Sequence, residues 1–181
     1  TNNSLFWEQL KPLRGDLFIL SLGTNEAQNQ GLSEQSLLAV CEAFAQRIHK
    51  IAPKAVILIT TPPGSYYKGK RPNASLQTVA RTFTRFAVEN GAAYWDLYKI
   101  SGGKTSAAGW NHAGLLSGDL VHYNQQGYHL QGQLLLSAFA KSYNAYAKLH
   151  PYKPEPVITK VVSKPVPRPK TEKKAAAIVN K

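Results

Sequence analysis

Asp16-Leu-Phe-Ile-Leu-Ser-Leu22 is a continuous apolar run carrying β-forming residues, and Gly23-Thr-Asn-Glu26 follows it directly. Bounded by Gly15 and Gly23, such a run predicts a strand buried on both faces of a parallel sheet. The flanking segments have a different period. Before it, Ser4 to Leu13 places Leu5, Phe6, Leu10 and Leu13 near one face of a short amphipathic helix closed by Pro12. After it, Ser33 caps a long helix to about Ile51, whose apolar positions 37, 38, 40, 41, 44, 45, 48 and 51 recur every three to four residues. Pro53 stops that helix.

The strand-then-helix unit repeats. Ala55-Val-Ile-Leu-Ile-Thr-Thr61 predicts a second buried strand, ended by Pro62-Pro-Gly64, and residues 64–73 read as a Gly/Lys/Tyr loop. A helix starting at Asn73 or Ser75 turns Val79, Phe83, Phe86 and Ala87 inward and finishes at Asn90-Gly91, a good C-cap. Ala92-Ala-Tyr-Trp-Asp-Leu97 is the third strand. Residues 99–118 form an irregular Gly/Ser/Lys-rich stretch, long enough to suggest a functional loop, and a final helix spans about Asn124 to Leu149. Strands alternating with helices of this length imply right-handed βαβ units, and hence a three-layer α/β/α fold around a central parallel sheet. In such sheets ligands bind at the carboxyl ends of the strands. That draws attention to Gly23–Glu26, Thr61–Tyr67, Asp96–Tyr98 and the loop before the last helix.

The composition breaks after His150. Residues 151–181 carry Pro151, Pro154, Pro156, Pro165, Pro167 and Pro169 with many lysines, so residues 1–150 are expected to form one domain and 151–181 a Pro/Lys-rich tail or linker, disordered on this composition. The net charge of +12 divides evenly: the tail holds 8 Lys/Arg against 2 Glu, and residues 1–150 hold 14 Lys/Arg against 8 Asp/Glu. With no arginine-rich helix and no RNA-binding or zinc-finger spacing, the charge argues against nucleic acid as a partner. A tail of this sign could instead hold the protein near an anionic cell wall or membrane surface. No 18-residue apolar stretch predicts a membrane span. The lone Cys41 sits in a helical apolar run and reads as a small buried thiol.

Asp119-Leu-Val-His122 directly precedes the last helix. An Asp three residues before a His on one loop can reach the imidazole Nδ1 and leave Nε2 pointing into the strand-end cleft, which is the orienter-and-base half of a Ser-His-Asp triad. Taken alone, the spacing also fits a helix cap with an exposed His. At the end of the first strand, a glycine permits a sharp turn and the Asn25 amide can donate to a developing oxyanion, although Asn is also an ordinary turn residue. Trp110 and Tyr66 lie on loops at the same end of the sheet, where they serve either as platforms for sugar rings or as ordinary packing. His112, His122 and His129 have spacings of ten and seven residues that match no common zinc pattern, so no metal or other cofactor is expected.

Together these blocks resemble the SGNH (GDSL) hydrolases. Leu20-Ser-Leu-Gly-Thr-Asn-Glu26 is similar to the family's Gly-x-Asn-Asp block, with Glu26 where Asp is usual; Asp119-Leu-Val-His122, continued by Tyr-Asn-Gln-Gln-Gly-Tyr128, is similar to its Asp-x-x-His block. The resemblance covers about residues 5–149 and is nearest to the carbohydrate and peptidoglycan O-acetylesterases. It implies a flavodoxin-like fold, His122 as general base and then acid, Asp119 as its orienter and Asn25 as an oxyanion-hole donor. The family's Gly-Asp-Ser nucleophile and its second oxyanion glycine have no counterpart in the chain: Ser117-Gly-Asp119 has the letters in another order, and no serine has the strand-turn-helix context. The nucleophile is therefore expected upstream of residue 1, together with any export signal, and the fold is expected to be N-terminally truncated and inactive by itself. The implied activity is a periplasmic or secreted carboxylic-ester hydrolase acting on an acylated carbohydrate. An O-acetyltransferase with the same machinery and a non-catalytic cell-wall or carbohydrate-binding module are the alternatives.

Overall fold

The computed structural model describes residues 4–29 and 31–151. The Pro/Lys-rich segment expected as a tail lies outside them from residue 152 onward. Helix α1 (Ser4–Leu10) and a 3-10 turn at Lys11–Leu13 lead into strand β1 (Leu17–Ser21). Then follow α2 (Glu34–Ile51), β2 (Val56–Thr60), the two-residue strands β3 (Tyr66–Tyr67) and β4 (Arg71–Pro72), α3 (Ser75–Glu89), β5 (Ala93–Trp95), α4 (Leu97–Ile100), α5 (Ser106–His112) and α6 (Gln125–Leu149).

The main sheet is parallel, in the order β1-β2-β5, with Leu17 opposite Val56, Ile19 opposite Leu58 and Thr60 opposite Trp95. Because side chains alternate along each strand, this register sorts them onto two faces. Ile57 and Ile59 pack with Phe18 and Leu20 against Leu37, Cys41 and Ile48 of α2 and against Val79, Phe83 and Phe86 of α3. Phe83, Leu37 and Ile48 are fully buried; each such side chain stabilises the fold by about 1.5–3 kcal/mol over leaving it in water. On the opposite face, Leu58 and Trp95 pack against Leu134, Leu135 and Ala138 of α6. Helices on both faces of a parallel sheet make the α/β/α architecture that the alternation of elements predicts.

One expectation is corrected. β1 is covered on one face only: Leu17 is 44% and Ile19 46% exposed, although the strand is apolar throughout. The reason is positional. β1 is the edge strand of this sheet, and α6 packs over β2 and β5 rather than over it. The stretch from 99 to 118 is also more regular than expected, containing the end of α4, a 3-10 turn at Gly103–Thr105 and α5.

Local chemistry sets the helix starts. Ser33 and Ser36 form a reciprocal capping box on α2. Asn73 Oδ1 accepts the Ser75 N–H at the head of α3, and Asn124 Oδ1 accepts the Gly127 N–H at the head of α6. Cys41 is buried as expected; burial, with Glu26 and Glu42 adding, pushes its thiol up to about 12, so it stays protonated and unreactive. No described helix is long and apolar enough to cross a membrane.

Candidate active site

Both loops singled out in the sequence reach one cleft of about 200 Å³ at the carboxyl ends of β1 and β2, where Asn25, Thr61, His122, Tyr128 and Gln131 line it. Larger hollows exist elsewhere, but neither Asn25 nor His122 lines them. Position relative to the strands, not size, identifies the site.

The base half is built by Asp119. Its Oδ1 accepts the backbone N–H groups of Val121 and His122, each at 2.9 Å. Its Oδ2 accepts Nδ1–H of His122 at 2.7 Å. In the neutral imidazole, donation from Nδ1 leaves Nε2 with the lone pair, the nitrogen a general base would use. The His122 hydrogen bond, reinforced by the two backbone N–H groups, lowers the Asp119 carboxyl from 3.8 to about 2. The loop places Leu120 in the left-handed region at φ 57°, which lets three consecutive groups converge on one carboxylate. Leu120 is pinned on both sides: its N–H donates to the Ser117 carbonyl and its own carbonyl accepts the Tyr66 N–H.

His122 is followed by an anchor. Tyr123 is buried, donates its hydroxyl to the Gly64 carbonyl at 2.5 Å and has its phenol pushed up by burial. Gly127 lets α6 start close beneath the loop, since a Cβ there would lie 2.3 Å from the Leu115 carbonyl oxygen. The Gly127 and Tyr123 positions therefore explain why the residues after His122 read as they do.

The Asn25 turn depends on Gly23 and Glu26. Gly23 has φ 104°, and a Cβ at that position would meet Val79 Cγ1 at 2.5 Å, so only glycine fits. Glu26 Oε2 accepts the Gly23 N–H at 2.8 Å, closing the turn around Asn25, which is itself exposed to the cleft. A Glu at this position can therefore make a local turn-closing contact. At the ends of the neighbouring strands, Thr61 Oγ1 donates to Asp96 Oδ1 and accepts the Tyr98 N–H, each at 2.9 Å, and Asp96 also caps α4. Asp96 is thus committed to structure.

The other sequence candidates lie outside this cleft. Trp110 meets Tyr123 edge-to-face at 5.1 Å and donates Nε1–H to the Ser101 carbonyl, supporting the anchor from behind. Tyr66 contributes its backbone, which joins the loops on either side. Ser21 is the serine among the cleft's lining residues, and it is on the last position of β1 rather than on a turn entering a helix. Sequence reading missed Gln28 and Gln131. Gln131 lines the cleft with a buried Nε2 that has no partner among the described residues.

Known proteins share this fold. No curated protein matches the chain, but solved structures do. A peptidoglycan O-acetylesterase superposes with a TM-score of 0.71 at 24% identity, covering 79% of this chain and 42% of its own. An acetyl xylan esterase gives 0.57 at 18% identity, covering 74% and 72%. A lipase/acylhydrolase from Enterococcus faecalis gives 0.51 at 20% identity, covering 68% and 60%. The chain thus spans less than half the length of the first of these. At such identities the likeness establishes the fold, which is that of the GDSL-type hydrolases. Residues 2–130 match the sequence profile of the GDSL-like lipase/acylhydrolases, and with its Gly-x-Asn and Asp-x-x-His loops meeting at one strand-end cleft, the chain belongs to that hydrolase family.

Proposed function

We propose that this chain carries the acid-base and oxyanion half of a serine esterase that removes O-acetyl groups from a polysaccharide or peptidoglycan. The observation that carries the reading is the 2.7 Å bond from His122 Nδ1 to Asp119, made on a loop that shares its cleft with Asn25. In the mechanism that follows, His122 Nε2 takes the proton of an attacking serine as its Oγ bonds to the acyl carbon. Asn25 Nδ2 donates to the oxyanion. Collapse of the intermediate breaks the bond to the sugar oxygen, which receives the proton from His122. Water, deprotonated by the same nitrogen, then releases acetate and restores the serine.

The serine is proposed to lie outside this chain, on a strand-turn-helix unit that pairs with the edge of β1. Among the described residues β1 pairs with β2 on one side only, which supports this, as does the lack of a serine in nucleophile context within the chain. By itself the 181-residue chain is then inactive. The choice of acetylated glycan rests on the neighbours named for peptidoglycan and acetyl xylan. Such polymers lie outside the cytoplasm, so a periplasmic or secreted setting is part of the proposal, with the basic segment after residue 151 free to associate with an anionic wall.

Acetate release from O-acetylated xylan and O-acetylated peptidoglycan by the protein joined to its natural upstream sequence tests this reading. Release from either, with free acetate as the product, is expected. Acetyl transfer to added sugar in place of acetate would indicate a transferase, and glycan binding without turnover would indicate a non-catalytic module.

A further inference from the structure

The oxyanion donor and the general base of this site sit on loops nearly a hundred residues apart, and both must serve the same tetrahedral intermediate. Errors of about 1 Å in such a pairing cost on the order of 100-fold in rate. Two side chains of the described residues tie the Asn25 turn to the segment between them: Asn73, whose Nδ2 donates to the Ala27 carbonyl and whose N–H donates to the Ser65 carbonyl, and Gln28. Gln28, on the 3-10 turn that begins at Glu26 immediately after Asn25, donates its N–H to the Asn25 carbonyl. Its side-chain Nε2 donates to the Tyr66 carbonyl at 3.0 Å, and its Oε1 accepts the Lys68 N–H at 2.8 Å. Both ends of one carboxamide are therefore spent on the β3–β4 hairpin. On the other side of the same residue, the Tyr66 N–H donates to the Leu120 carbonyl at 2.9 Å, between Asp119 and His122.

The hairpin is shaped for this contact. Lys68 holds φ 48° and Gly69 φ 68°. A Cβ on Gly69 would come within 2.9 Å of the Asp119 carbonyl oxygen, so the hairpin tip presses directly on the acid-base loop. Two left-handed non-glycine residues, Lys68 and Leu120, are thus each held by a hydrogen bond in this one chain of contacts. Such conformations cost about 1–3 kcal/mol and persist only where neighbours enforce them. A glutamine that only filled a surface position would not have both polar atoms paired to backbone forty residues away.

We propose that Gln28 is a positioning residue of the esterase site, fixing the Asn25 turn relative to the Asp119–His122 loop through the backbone of Tyr66. The inference rests on the functional reading above. It deepens that reading by giving the Gln28 side chain a direct part in setting the register between the two loops.

The test uses the complete, active protein and the variants Gln28→Ala and Gln28→Glu. Gln28→Ala is expected to lower kcat for a small acetyl ester about 10- to 100-fold, with KM nearly unchanged. Gln28→Glu keeps the acceptor for Lys68 but loses the donor to Tyr66, and should fall between the two. In an Asn25→Ala background the Gln28→Ala loss should shrink, because the donor whose position it sets has gone; a loss of stability alone would leave it unchanged. Hydrogen exchange supplies a readout independent of turnover. The Val121 and His122 amides should exchange faster in Gln28→Ala, while those of Val79 and Phe83 in α3 keep wild-type rates. Unchanged kcat together with unchanged exchange at Val121 and His122 overturns the proposal. A wild-type protein without turnover refutes the esterase reading instead, and the exchange rates then decide whether Gln28 orders the loop.

Discussion

At the scale of single residues, the site divides into groups that touch the reaction and groups that hold them. Asp119 belongs to the second kind, and its environment makes a statement about pH. Its carboxyl is held near 2 by His122 and two backbone N–H groups, below the ordinary 3.8. A depressed carboxylate adds stability above its unfolded value and loses it as pH falls through its folded value. Asp119 and His122 are both about half exposed, so solvent screens the pair and the contribution to folding is small. For the proposed activity the consequence is larger: Asp119 remains an anion above about pH 4, so no limb of the pH-rate profile between pH 4 and 7 belongs to it. An NMR titration of the Asp119 carboxyl should give a midpoint well below 3.8; one at or above that value contradicts the geometry.

Two further side chains can be weighed at this scale. Asn25→Ala should lower kcat by about 10²- to 10³-fold, the usual loss for one oxyanion donor, whereas Ser21→Ala should leave kcat within about twofold, because the proposal puts the attacking serine outside this chain. Steady-state kinetics on the active protein checks both, and a collapse of activity in Ser21→Ala would relocate the nucleophile to β1. Asn25 and the Asp119/His122 pair were legible in the sequence because their chemistry needs fixed residue types at short spacing. Gln28 was not: it acts through backbone groups of residues 66 and 68, and no local pattern announces that contact.

At the scale of elements, the strands and long helices could be read because each has a sustained period. β1 and β2 are continuous apolar runs, and α2 and α3 repeat apolar positions every three to four residues. The β3–β4 hairpin escaped because two-residue strands are too short to show alternation, and α4 and α5 escaped because short Gly/Ser-rich segments look irregular. The burial of β1 was misread for another reason: a strand's own residues do not say how far across the sheet a distant helix extends. The turn between β1 and α2 depends on Gly23. Gly23→Ala would place a methyl 2.5 Å from Val79 in a backbone conformation foreign to alanine. Strain and overpacking should together destabilise the fold by roughly 2–5 kcal/mol, while also displacing Asn25. Chemical denaturation should show this loss, and a variant of wild-type stability would argue against the turn as described.

At the scale of the whole molecule, the two faces of the sheet are unequal. The α2/α3 face is closed, but beside α6 the other face leaves Leu17, Ile19 and Val56 in water, and α6 itself exposes Leu136, Phe139 and Tyr143. Six large apolar side chains left in water on this side of the molecule offer apolar area that a further segment can cover. The 181-residue chain should therefore bind a hydrophobic dye such as ANS, and on the proposed reading it should bind less when joined to a serine-bearing upstream segment. Equal dye binding by the two forms would mean that this segment does not cover the open face.

The central claim, that Asp119 and His122 form the acid-base half of an ester-cleaving site, is tested most directly by comparing turnover of an acetyl ester by the complete protein with that of its His122→Ala variant. A drop in kcat of about 10³-fold or more, with the fold intact, is the predicted result; unchanged turnover would contradict the assignment.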